Sequence, residues 1–120
     1  MPRKKVIIID DSATIRSMLE NALYRKYDVM AFANGQDALT YMSSNEVNLV
    51  ITDLNMPTMS GYEVIREAKK RHRFVPCILL TGDEGINVVS LAKEAGASTC
   101  LRKPFNERSI VAMVRMVIGE

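Results

Sequence analysis

With 120 residues, 48% of them apolar and 25% charged, the chain has the length of one domain and enough apolar matter to build its own core. A net charge of +2 excludes the strongly basic class that holds nucleic acid by charge alone, and no apolar run nears the roughly 20 residues of a membrane span. Only four apolar residues separate the basic start from Asp10, too few for a secretory leader. Cys77 and Cys100 fall inside predicted strands and read as small apolar packing in a reduced, cytoplasmic protein.

The first strand is Val6-Ile7-Ile8-Ile9, ending in Asp10-Asp11. Ser12 opens a helix with Ile15, Met18, Leu19, Ala22 and Leu23 on one face. Residues 27–32 read as a second strand. Asn34-Gly35 is a turn, and Ala38, Leu39 and Met42 face inward on a second helix. A third strand, residues 48–52, ends in Asp53. After Gly61 comes a helix carrying Val64, Ile65 and Ala68, closed by Arg71-His72-Arg73, where cations suit the helix dipole and His72 is a surface residue. Pro76 opens a fourth strand, Cys77-Ile78-Leu79-Leu80, ending in Thr81. A helix over residues 85–95 stops at Gly96, a fifth strand covers 98–102, and a last helix fills 105–118.

Five strands alternating with five helices predict an α/β fold: a doubly wound parallel sheet, flavodoxin-like (βα)5, in the order 2-1-3-4-5. That order makes strands one and three neighbours and brings Asp10, Asp11 and Asp53 together, with Thr81 and Lys103 on the same rim. Ligands bind at this carboxyl edge in open α/β sheets. Three crowded carboxylates repel unless a cation joins them, which points to a divalent metal with Lys103 as a second positive charge. Asp10-Asp11 can also serve as acids at a helix start, and both roles can hold at once.

These residues carry a resemblance. Asp10-Asp11, Asp53-Leu54-Asn55-Met56-Pro57 with Gly61, Thr81-Gly82 and Lys103-Pro104-Phe105 resemble, in order and spacing, the receiver domains of two-component response regulators, and closely the small CheY-like regulators. The match spans essentially the whole chain, one receiver domain over residues 1–120. It implies that Asp53 is the phospho-acceptor. It implies Mg²⁺ bound by Asp11, Asp53 and the backbone carbonyl of Asn55, with Asp10 acting through water. Lys103 would pair with Asp53 at rest and touch the phosphoryl group later, across a cis Lys103-Pro104 bond, and Thr81 would donate its hydroxyl. Asn55 and Asp83 would tune dephosphorylation. The implied partners are a histidine kinase or phosphotransfer protein and a downstream protein, with neither direct nucleic-acid contact nor membrane insertion. The molecule would be a monomer or a phosphorylation-dependent dimer, and a switch rather than an enzyme beyond its own phosphorylation and dephosphorylation. Whether it stands alone or is part of a longer regulator stays open.

One departure is Cys100, where the family usually has a tyrosine or phenylalanine that turns inward on activation. On the fourth helix Val88, Leu91, Ala92 and Ala95 are expected to face the core, leaving Ile86 and Val89 outside. On the fifth, Ile110, Val114 and Val117 face inward and leave Ala112 and Met116 outside, flanked by Arg108 and Arg115. Ile86, Val89, Cys100, Ala112 and Met116 thus form the expected partner surface. A rival reading is a magnesium-dependent phosphatase of the haloacid dehalogenase type, but the second acid of its D-x-D motif is Asn55 here. A flavodoxin-like electron carrier fits less well, because Asp10 and Asp11 would repel a flavin phosphate.

Overall fold

A strand buried on both faces must be apolar throughout, and three segments meet that demand. In the computed structural model, which describes residues 3–82 and 87–120, they are the three inner strands: β1 (Lys5–Ile9), β3 (Leu49–Asp53) and β4 (Cys77–Thr81). β2 (Asp28–Phe32) and β5 (Thr99–Arg102) are less buried and form the edges. The five strands are parallel in the order β2-β1-β3-β4-β5, as the alternation of elements predicts. Ile9 pairs with Thr52, Asp53 with Leu80, and Thr81 with Arg102, so the strands end level with one another.

Helices cover both faces: α1 (Ala13–Leu23), α2 (Gly35–Met42), α3 (Gly61–Arg71), α4 (Asn87–Ala95) and α5 (Glu107–Ile118). Side-chain oxygens cap four of their starts: Ser12, Asn34, Ser60 and Asn106 each accept from a backbone N–H three residues on. Ser60 with Glu63 and Asn106 with Ser109 close reciprocal capping boxes. The Asn106 cap explains why α5 starts at Glu107 rather than at 105. Residues 85 and 86 of the expected fourth helix lie outside the described residues.

Alternation along the strands divides the core. Ile7, Ile9, Val50 and Leu79 pack with α2, α3 and α4, and Cys100 lies against this layer. Ile8, Ile51, Ile78 and Leu80 pack with Leu19, Leu23, Ile110 and Val114 of α1 and α5. Met42 is buried, Met113 and Val117 are partly buried against the second layer, and Met18 is half-buried.

Three expectations need correction. Leu91 is 43% exposed, because the buried stripe of α4 runs through Val88, Ala92 and Ala95 at i, i+4, i+7 and leaves i+3 outside. His72 is half-buried rather than a free surface group: it ends α3, and its Nε2 lies 2.7 Å from the Met42 carbonyl oxygen. Gly35 is the first residue of α2, after its Asn34 cap, and not part of a free turn.

Candidate functional site

Asp10 follows β1, Asp53 ends β3, Thr81 ends β4 and Lys103 follows β5. The level strand ends bring the three acids together: Asp10, Asp11 and Asp53 each offer a carboxylate oxygen within 4.8 Å of the other two. Asp10 is fully buried, Asp53 is 6% exposed, and Asp11 is open to solvent. At that separation, with an effective dielectric of about 20, one like-charge pair costs about 3 kcal/mol. Lys103 offsets part of this. Its ammonium donates to Asp53 Oδ1 at 3.0 Å and to Asp10 Oδ2 at 3.3 Å. The Lys103 backbone N–H donates to the Thr81 carbonyl at 2.7 Å, tying the end of β5 to that of β4, and the Lys103-Pro104 bond is cis.

Burial pushes the Asp53 carboxyl above its ordinary range. The hydrogen bond from Lys103 pulls the other way without winning, and the Asp10 and Asp11 charges add to the rise. For Lys103, burial disfavours the ammonium, but the bonds and charges of Asp53 and Asp10 together raise its pKa. Three carboxylates facing one ammonium leave a formal excess of two negative charges. A divalent cation would cancel that excess. The donors are all hard oxygens, with Asp11 on the open side, which suits Mg²⁺.

The backbone around the acids is held closely. The other Asp10 oxygen accepts from Ser12 N–H at 2.9 Å, so the Asp10 carboxylate also braces the start of α1. Arg16 Nη1 donates to the Asp10 carbonyl at 2.7 Å, and the buried Thr52 hydroxyl donates to the Asp53 carbonyl at 3.0 Å. Neither Arg16 nor Thr52 stood out in the sequence. A hydroxyl inside an apolar strand, beside Asp53, was the available signal for Thr52; Arg16 offered none beyond its place one turn after Ser12. Gly61 N–H donates to the Leu54 carbonyl at 2.8 Å. A Cβ on Gly61 would strike the Asp53 carbonyl oxygen and would lie 2.6 Å from Leu79 Cδ1, so the first residue of α3 must be glycine for β3 to end where it does.

Asp10, Asp11 and Asp53 thus cluster at one rim, Lys103 bonds Asp10 and Asp53 there, and Thr81 lies at the adjacent strand end, 3% exposed. Asn55 is exposed on the loop that follows β3. Asp83 and Ile86 lie outside the described residues. Of the expected partner surface, Val89 and Met116 are 53% and 66% exposed, Ala112 is exposed, and Cys100 is half-buried, with its thiol pushed up by burial.

The model of the response regulator receiver domain matches residues 6–115. The chain belongs to this family. It is 33% identical to a chemotaxis protein CheY homolog of Campylobacter jejuni, over 96% of this chain and 92% of that protein. It is 37% identical to the probable transcriptional regulator ycf27 of Porphyridium aerugineum, over 98% of this chain but 49% of that protein; the chain spans about half the length of such relatives. Among solved structures, chemotaxis protein CheY4 of Vibrio cholerae superposes with a TM-score of 0.91 at 30% identity, over 96% of this chain and 98% of that one. Receiver domains are signalling switches rather than classical enzymes. They bind Mg²⁺ in an acidic pocket and interact with histidine kinases and downstream effectors, and this chain has a carboxylate cluster of Asp10, Asp11 and Asp53. No described helix is long and apolar enough to cross a membrane.

Proposed function

We propose that this receiver domain, a single cytoplasmic unit over residues 1–120, accepts a phosphoryl group on Asp53 from a histidine kinase or phosphotransfer protein. The observation that carries the reading is the buried Asp53 carboxylate, at the rim where Asp10, Asp11 and Lys103 converge. A carboxylate oxygen of Asp53 attacks phosphorus, the new O–P bond forms as the donor's N–P bond breaks, and the imidazole leaves with its electron pair. Mg²⁺, held by Asp11, Asp53 and the Asn55 carbonyl with Asp10 behind water, would supply positive charge for the transferring group. Lys103 shifts its ammonium from Asp53 toward a phosphoryl oxygen, which a compact charge on a flexible stem can do. Thr81 donates its hydroxyl to the same group. Asn55 and Asp83, each two residues beyond a site residue, govern the approach of water and hence the lifetime of the phosphorylated state.

Phosphorylation biases a two-state equilibrium that a downstream protein reads on the face of α4, β5 and α5. Val89, Ala112 and Met116 are exposed there, and Ile86 belongs to the same proposed surface. The smaller Cys100 replaces the usual moving ring, so the change rests on Thr81 rather than on residue 100; of the loop expected to follow it, residues 83–85 lie outside the described residues. The molecule acts as a monomer or a phosphorylation-dependent dimer.

The metal assignment is tested by Mg²⁺ titration of the parent and Asp11→Ala, followed by NMR. Strong weakening in the variant supports the reading; equal affinity would remove Asp11 from the metal set.

A further inference from the structure

The amino edge of the sheet, opposite the acidic rim, carries a second feature. α3 closes on Lys69, Lys70 and Arg71, and His72, Arg73 and Phe74 follow it. Phe74 is 86% exposed, the highest value among the large exposed apolar residues described. Nothing in the folding account needs an aromatic ring there. The Arg73 guanidinium stacks over that ring, 5.5 Å from its centroid.

Most of the neighbouring cations are engaged within the fold. Lys69 Nζ donates to the Val75 carbonyl at 2.9 Å. Lys70 and Arg71 share one carboxylate, Glu67, at 2.8 and 3.3 Å. Arg71 is further held by Ser43 Oγ at 3.1 Å and the Glu67 carbonyl at 3.0 Å, whereas Arg73 has no ion pair among the described residues. Beside them runs a groove of about 380 Å³ between residues 47–48 and 72–76, walled by Phe74 and floored by Val47 and Val75, 7% and 4% exposed. His72, bound to the Met42 carbonyl, pins the two loops together, so the groove is built into the fold.

We infer that this edge is a docking site for an acidic segment of a partner protein that carries an apolar side chain. The apolar residue seats against Phe74 over Val47 and Val75, and the carboxylates meet Arg73, the cation in the groove's lining. Charge complementarity names the sign of the partner, and the groove names its shape. A flat anionic bilayer would reach the protruding Phe74 but not the floor beside it. The groove lies at the opposite end of the strands from Asp53, so docking there leaves the acidic rim free and does not depend on phosphorylation. It would hold the domain near a partner while the switch operates.

The probe is a fluorescein-labelled twelve-residue peptide of Asp and Glu with a central Leu-Phe pair, added to the isotope-labelled full chain. Amide shifts should concentrate at residues 43–48 and 71–76. Arg73→Glu and Phe74→Ser, both on exposed side chains, should each weaken binding roughly tenfold or more while melting with the parent. Asp53→Asn should bind as the parent does. Vesicles rich in phosphatidylglycerol and a single-stranded oligonucleotide are run alongside. The inference is overturned by no peptide binding, by shifts centred elsewhere, by Phe74→Ser binding as tightly as the parent, or by vesicles or oligonucleotide binding this edge more tightly than the peptide.

Discussion

Asp53→Asn should stabilise the metal-free protein near neutral pH, although it removes the proposed phospho-acceptor. Burial sets the direction: Asp53 is 6% exposed, two other carboxylates stand within 4.8 Å, and the bond from Lys103 does not restore the ordinary pKa. A carboxyl whose folded pKa is raised contributes its full stability below the unfolded value of 3.8 and loses it as pH rises through the folded value. Near pH 7 the ionised group therefore works against folding, and a neutral amide of the same shape removes that cost. One like-charge pair removed, about 3 kcal/mol at this separation, is largely offset by the lost charge-assisted bond from Lys103, roughly 1.5–3 kcal/mol, so the gain should be on the order of 1 kcal/mol. For a domain of this size that is a rise in melting temperature of roughly 3–5 °C. Lys103 keeps Asp10 as a partner in the variant, which limits the offsetting loss. Thermal melts by circular dichroism in EDTA should show the gap near neutral pH and its shrinkage as pH falls toward 4. Saturating Mg²⁺ should narrow it, because the parent gains more from the cation. A variant no more stable than the parent in EDTA would refute the reasoning, and so would a gap that persists in acid.

Lys103→Ala removes the ammonium shared by Asp53 and Asp10 and should cost about 3 kcal/mol near neutral pH, the low end for a broken buried pair because the lysine is a quarter exposed; chemical denaturation with and without Mg²⁺ checks this, with the metal recovering part of the loss. Gly61→Ala places a methyl against the Asp53 carbonyl and Leu79, and should cost roughly 1–3 kcal/mol and slow phosphorylation, read from denaturation midpoints and single-turnover labelling. Cys100→Tyr should change the affinity of a phosphorylation-dependent partner more than the phosphorylation rate, since Cys100 packs on the core layer beneath α4 and touches neither metal nor phosphate in this account; slowed phosphorylation with unchanged affinity would reverse that division.

Strand and helix alternation was legible because a doubly covered parallel sheet demands continuous apolar strands, and β1, β3 and β4 supply them. The acid, hydroxyl and amine positions, Asp10, Asp11, Asp53, Thr81 and Lys103, were legible for a related reason: a polar residue ending a strand run has to lie at the rim. Side-chain roles that depend on backbone carbonyls were not. Arg16 reads as a solvated helix cation until the Asp10 carbonyl is placed beside it, and Thr52 as a strand hydroxyl until the Asp53 carbonyl accepts from it. His72 looked exposed because its partner, the Met42 carbonyl, is thirty residues away. Leu91 fits a helical stripe by spacing, yet the width of the buried stripe on α4 depends on how the helix lies on the sheet, which spacing alone does not fix. Gly61 marked a boundary in the sequence; that it is pressed against the Asp53 carbonyl became visible only in three dimensions.

The central claim is that Asp53 accepts a phosphoryl group with the help of a divalent cation, and intact-mass measurement after incubation with acetyl phosphate tests it most directly. The account predicts one labile phosphoryl adduct in the parent with Mg²⁺, little in EDTA, and none in Asp53→Asn, with the adduct mapped to Asp53 after borohydride trapping. An equally abundant adduct in Asp53→Asn, or one formed in the parent at the same rate without Mg²⁺, would contradict it.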